Sequence, residues 1–112
     1  MLKQIKNKES SYLSIYRERL YSIRLKYEYP EVYDASLKQN SNKVDWSWIS
    51  SNQTLSEKFI IEFQDRVDWG EISYYRKMSE NFIREFKDRV DWSYISRYQT
   101  LSEKFRKEFD LQ

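Results

Sequence analysis

The chain has no cysteine and no histidine, and only one glycine and one proline. Without cysteine there can be neither disulfides nor thiolate metal sites. Without histidine the usual general base, the usual pH switch and the commonest transition-metal ligand are gone. A single Gly and a single Pro leave little turn chemistry for hairpins, which argues against an all-β chain. No apolar run approaches membrane-span length, and the Lys-rich start lacks the apolar stretch of a signal peptide. A soluble cytoplasmic protein with no membrane partner is the default expectation. Charge of one sign is missing too: 20 basic residues face 18 acidic ones, without the basic excess of a dedicated nucleic-acid binder.

Aromatic residues are plentiful. They make up 18% of the 112 residues, as four Trp, ten Tyr and six Phe. Their large buriable area explains how so polar a chain can fold.

Most of these aromatics fall in a segment repeated three times. VDWSWISSNQTLSEKFIIEFQD follows Lys43, VDWGEISYYRKMSENFIREFKD follows Arg66, and VDWSYISRYQTLSEKFRKEFD follows Arg89, in register with no insertion or deletion. A strict period of this kind points to stacked helical units sharing one core. The expected fold is all-α: a helix-turn-helix solenoid of three repeats over residues 43–112, preceded by an N-terminal helical cap over residues 1–42, the whole forming one domain.

Within each copy, Asp45, Asp68 and Asp91 stand directly before a Trp, at N-cap positions where a carboxylate accepts from free backbone N–H groups. Glu71, three residues after Asp68, makes a variant capping box, and Val44, Val67 and Val90 are placed to staple the helix start. This first helix is short, ending near Asn52 in the first copy. A second, longer helix starts near Leu55, Met78 and Leu101. Its cap is either the T-x-x-E box of Thr54 with Glu57 and Thr100 with Glu103, or else Ser56, Ser79 and Ser102. Leu55, Phe59 and Phe63, and their counterparts, share one helical stripe. Glu62 with Arg66, and Glu85 with Arg89, are spaced as i, i+4 ion pairs. Alone, such a unit cannot bury its Trp and two Phe, and stacking on a neighbour can. Each aromatic so buried contributes roughly 2–3 kcal/mol, more than any cap or ion pair. In the third copy Arg106, followed by Lys107, stands at the position that Ile60 and Ile83 hold in the first two, as expected of a polar terminal face.

Upstream of the repeats, residues 1–9 are polar and expected to fray. Ser10 and Ser11 offer N-caps for a helix to about Glu28. Leu13, Tyr16, Leu20, Ile23 and Tyr27 follow a 3-4-3-4 spacing on it, widened by Tyr12 and Ile15. This stripe either packs on the first repeat or forms a short homodimer seam, although two heptads are marginal for a coiled coil. The first 28 residues hold seven basic and three acidic residues, a basic face for phosphate, an acidic partner or plain solvation. Tyr29-Pro30 ends the helix, and Pro30 opens another of about ten residues that reads as a degenerate half-repeat.

Positions that change between copies are those the fold leaves free: Trp48/Glu71/Tyr94, Ser51/Tyr74/Arg97 and Asn52/Tyr75/Tyr98. All lie on the short helix or the bend after it. Exposed Tyr, Trp and Arg are enriched at protein interfaces, so Trp48, Tyr74, Tyr75, Tyr94, Arg97 and Tyr98 form the expected partner-binding surface. No phosphate loop, metal-ligand spacing or nucleophile–base pair occurs, so neither catalysis nor a cofactor is expected. Nucleic-acid binding by aromatics interleaved with basic residues is a rival. Its weakness is that residues 43–110 hold 12 basic and 13 acidic residues, too balanced for a strong phosphate-binding field.

At VDWSWISSNQTLSEKFIIEFQDRVDW the chain resembles the VDWxxISxxQxLSExFIxEFxDxVDW repeats of proteins from large DNA viruses and some phages. The likeness covers roughly residues 43–110. It departs at Tyr74-Tyr75-Arg76-Lys77, where the second copy loses its Gln and Thr. The resemblance implies a viral setting, in host cytoplasm. There, small catalytically bare proteins act as stoichiometric blockers of host or defence machinery, including anti-CRISPR-like inhibitors. It carries no activity over to residues of this chain.

Overall fold

Ser56, Ser79 and Ser102 each take an extended backbone conformation and accept, through Oγ, from the N–H of a Phe three residues on. These caps fix where the second helix of every copy begins. Asp68 and Asp91 do the same for the first helix of the second and third copies, Asp68 for Glu71 N and Asp91 for Ser93 N and Tyr94 N. The computed structural model describes residues 2–52 and 54–112, with side chains from residue 13 onward. Among the described residues the chain forms helices α1 (Leu2–Glu28), α2 (Pro30–Gln39), α3 (Trp46–Asn52), α4 (Glu57–Glu62), α5 (Trp69–Tyr75), α6 (Glu80–Glu85), α7 (Trp92–Tyr98) and α8 (Glu103–Glu108), and no strand. The fold is all-α. No described helix is long and apolar enough to cross a membrane.

The T-x-x-E boxes do not form, because the serines two residues later hold the cap positions. Nor is the second helix the longer one: α4, α6 and α8 span six residues each, against seven for α3, α5 and α7. Phe63 and Phe86 leave helical geometry at ψ 29, and the carbonyls of both then accept from N–H groups three and four residues on. The chain turns there rather than extending the helix to the next Val-Asp-Trp.

By its contacts the chain divides into two compact units, Met1–Asp45 and Trp46–Gln112. In the first unit α1 packs on α2. The helix α1 begins at Leu2, so Ser10 and Ser11 lie inside it instead of at its start; Lys, Gln and Glu in that stretch are good helix formers. The side chains of Ser10, Ser11 and Tyr12 lie outside the described residues. The proposed packing stripe is exposed: Leu13 57%, Tyr16 64%, Leu20 44%, Ile23 52% and Tyr27 76%. Leu25, off the stripe, is the fully buried residue among the described side chains of α1. Pro30 stands in the first turn of α2, as its fixed φ favours. The helix ends in a left-handed turn at Ser41 and Asn42, φ 46 and 63, where Asn42 N reaches back to Leu37 O at 3.1 Å. Buried Ser36 accepts from Asp45 N at 2.7 Å.

In the second unit α3 packs on α5 and α5 on α7. Ile49, Ile72 and Ile95 are fully buried, as are Ile60 and Ile83 within 1%. The Trp rings are half-buried, and each lies against a Phe of its own copy: Trp46 on Phe63 at 5.3 Å, Trp69 on Phe86 at 5.2 Å, Trp92 on Phe109 at 4.8 Å. The sequence had suggested shielding by the neighbouring copy. What comes from the neighbour instead is a hydrogen-bond partner, since Trp69 Nε1–H donates to Gln64 O at 3.0 Å and Trp92 Nε1–H to Lys87 O at 2.9 Å.

Polar bonds between successive copies recur. Ser50 Oγ donates to Trp46 O and accepts from Asp68 N; Ser73 Oγ donates to Trp69 O and accepts from Asp91 N. Glu57 accepts from both Ser79 N and Ser79 Oγ, at 2.7 and 3.0 Å, and Glu80 accepts from Ser102 in the same way. Arg89 does not pair with Glu85 one turn away; it reaches Asp65 at 2.8 Å and Gln64 O at 2.6 Å. Buried Gln99 accepts from Met78 N and donates to the carbonyls of Ser73 and Arg76. Arg106, at the last copy's apolar position, donates to Ser96 O and Gln112 O.

Candidate functional site

The packing of α5 beside α7 aligns residues that follow the invariant Ile and Ser. Ile72 and Ser73 are drawn fully into the core, which turns Tyr74 and Tyr75 outward at the end of α5. Ile95 does the same on α7 and presents Tyr94 and Tyr98. Tyr74 is the hub of the resulting cluster. Its ring centroid lies 4.5 Å from Tyr75, 4.7 Å from Tyr98 and 5.2 Å from Tyr94, all edge-on, and Tyr94 and Tyr98 are themselves 6.1 Å apart. Edge-to-face packing sets the positive rim of one ring against the negative face of another, so the cluster holds its shape without a buried core. Yet Tyr74 remains 41% exposed, Tyr75 55% and Tyr98 53%. The Tyr98 and Tyr75 phenols, with slight burial, push the Tyr74 hydroxyl above the ordinary tyrosine range.

Beside the rings lies a groove of about 250 Å³ lined by Asp68, Gly70, Glu71, Tyr74, Tyr75 and Tyr94. Of the six residues expected to contact a partner, Tyr74, Tyr75, Tyr94 and Tyr98 are brought together. Trp48 holds the matching register on α3 and is half-buried, its carbonyl accepting from Ser51 Oγ and Asn52 Nδ2 at 3.2 Å each. Arg97 is exposed on α7. The alternative seam, Leu13, Tyr16, Leu20, Ile23 and Tyr27, forms a second exposed apolar surface, on α1.

Three groove residues escaped the sequence reading: Asp68 and Glu71, assigned to capping, and Gly70. A signal was present, because Gly70 is the chain's only glycine and stands where the other copies have Ser47 and Ser93. In the third copy Ser93 Oγ donates to Asp91 Oδ1 at 2.6 Å, and that bond holds the Asp91 carboxyl below its ordinary range. Gly70 has no such hydroxyl. A Cβ there would meet Asp68 Oδ1 at 3.3 Å, tight but open to small shifts. Asp68 Oδ1 therefore accepts from Glu71 N at 3.1 Å with no serine beside it.

Comparison with protein-family models, curated proteins and solved structures finds no match to the chain.

Proposed function

We propose that this chain is a non-catalytic helical repeat module, a short solenoid of three tandem copies, that acts by binding another protein through the tyrosine cluster of α5 and α7. One observation carries the reading. Tyr75 and Tyr98 both pack on Tyr74, yet all three stay 41–55% exposed at positions the fold does not need, while the positions it does need recur in every copy. Rigid, amphipathic aromatics held in place before binding lose little entropy on contact, which is why they dominate interface energetics. The solenoid is supported by the packing of α3 on α5 and α5 on α7, together with the recurring Ser–Asp and Glu–Ser bonds. The setting suggested by the repeat resemblance, a viral protein blocking a host or defence complex, fits a module that works by occupying a surface.

A photo-crosslinking residue at position 75, with one at exposed position 104 as control, tests this in extracts of a candidate host. Crosslinks should form from position 75, and Tyr74→Ser with Tyr98→Ser should weaken the captured complex about tenfold or more. Capture that is indifferent to both substitutions would refute the surface. Since the tyrosines lie outside the core, the variants should stay folded and lose only the ring contacts, at about 0.5–1.5 kcal/mol each.

A second reading is favoured by the exposed heptad stripe of α1: self-association through Leu13, Tyr16, Leu20, Ile23 and Tyr27. Light scattering after size exclusion should then give twice the chain mass, and Leu20→Glu with Ile23→Glu should restore the monomer. A monomer at high micromolar concentration removes this reading. Nucleic-acid association through the basic N-terminal helix is the third; it predicts salt-sensitive binding of single- or double-stranded nucleic acid.

A further inference from the structure

We infer that the groove beside the tyrosine cluster is a receptor for an arginine side chain of the partner protein. The inference rests on the protein-binding reading and names the chemistry of its central contact.

Every residue lining the groove is aromatic, acidic or glycine. Tyr74, Tyr75 and Tyr94 supply rings with negative faces, and Asp68 and Glu71 supply two carboxylates from the first turn of α5. A cation within about 6 Å of a ring face is attracted by the quadrupole, and carboxylates beside the rings add direct charge pairing. A planar guanidinium satisfies both demands, stacking on a ring while donating in a fork to carboxylate oxygens. At about 250 Å³ the groove falls below the size of typical small-molecule pockets and suits one extended side chain.

The copy-to-copy comparison supplies an independent reason. In the third copy the capping carboxylate is occupied by the serine two residues on, Ser93 Oγ to Asp91 Oδ1 at 2.6 Å, and an aromatic, Tyr94, holds the next position. In the second copy that serine is Gly70 and that aromatic is Glu71. Both departures act in one direction: one removes an internal donor from the carboxylate and the other adds a second negative charge. Glu71 also suits the positive end of α5, but the glycine has no such helical rationale, because it is a poor helix former and stabilises α5 less than serine would. The only glycine in the chain thus falls where it keeps an acidic groove open.

The test uses the intact chain and two peptides, acetyl-Gly-Ser-Gly-Arg-Gly-Ser-Gly-amide and the same peptide with citrulline, which keeps the shape and loses the charge. Ring resonances of Tyr74, Tyr75 and Tyr94 are followed by NMR at near-physiological salt. The arginine peptide should shift these rings and saturate in the millimolar range, with the citrulline peptide about tenfold weaker. Asp68→Asn and Glu71→Gln, which keep the cap and the shape, should each weaken the arginine peptide severalfold. Gly70→Ser should do likewise by engaging Asp68 from within, as Ser93 engages Asp91. Equal binding of both peptides would overturn the cation assignment while leaving the tyrosine surface intact. No ring shift with either peptide would overturn it too, and the crosslinking result would then decide the protein-binding reading separately. Ring shifts that track protein concentration without peptide would assign the groove to a basic residue of a second copy, against the inference.

Discussion

Phe63→Ala should lower the free energy of unfolding by about 3–5 kcal/mol, the usual cost of emptying a large aromatic site. Phe63 is fully buried, packs on Trp46 at 5.3 Å and on Phe59 at 4.8 Å, and its carbonyl closes the turn into Val67. Removing the ring exposes one face of the indole as well as leaving a cavity. Phe86→Ala, at 7% exposure, should cost nearly as much. Phe109→Ala should cost about half, since Phe109 is half-buried and the penalty scales with the area withdrawn from water. Urea titrations followed by Trp fluorescence would give the three values. Equal losses at all three positions would contradict the packing described for the last copy. For a chain this small the Phe63 variant approaches the whole stability of a typical domain, about 5–15 kcal/mol, so the melt should be run at low temperature.

Ser73→Ala should cost about 1–3 kcal/mol, because it leaves a backbone donor of the next copy without its acceptor. Ser73 is 0% exposed, donates to Trp69 O at 2.7 Å and accepts from Asp91 N at 2.9 Å, in the next copy. Alanine keeps the volume nearly unchanged but leaves the Asp91 N–H without its acceptor. The equivalent serine of the last copy is the internal control. Ser96 Oγ donates to Ser93 O at 3.2 Å, and no further Val-Asp-Trp follows it in this sequence. Ser96→Ala should therefore change stability by only a few tenths of a kcal/mol. A deficit at Ser96 equal to that at Ser73 would mean that the serine matters for its own helix, and that the bond between copies contributes nothing.

That contrast shows why the serine ladder was hard to foresee. Ser50, Ser73 and Ser96 recur beside the core Ile and look like ordinary small residues on a short helix. Their importance lies with a backbone N–H eighteen residues away, which no local pattern announces. The same holds for Ser36, whose bond to Asp45 N gives α2 the task that Ser50 and Ser73 perform in α3 and α5. The sequence placed α2 as a degenerate half-repeat; the hydrogen bond gives it the role of a repeat's first helix. Glu57 and Glu80 are a parallel case. Read locally, Glu57 completes a capping box with Thr54; in the fold both carboxylates cross to the serine that caps the following copy. Arg89 likewise skips Glu85, one turn away, for Asp65.

The candidate surface was partly legible. Comparing the copies separated positions under packing constraint from those free to vary, and that comparison singled out Tyr74, Tyr75, Tyr94 and Tyr98 together with Trp48 and Arg97. It missed the groove, because Asp68 had a complete explanation as a cap and Gly70 none at all. The α1 stripe was legible as a stripe. Its exposure was not, since a 3-4-3-4 pattern states which residues share a face and is silent about what covers it.

The starts of α3, α5 and α7 after Val-Asp, the helix break at Pro30, the in-register copies and the identity of the core Ile and Phe positions were set by the sequence alone. They depend on interactions within a turn or two of the chain, where spacing and side-chain chemistry suffice. Tertiary structure alone decided which carboxylate meets which serine, that the Trp rings lean on their own copy, and that four tyrosines gather around an acidic groove. Those outcomes depend on partners about 20 residues apart, and are selected by packing free energy, which no short window of sequence contains.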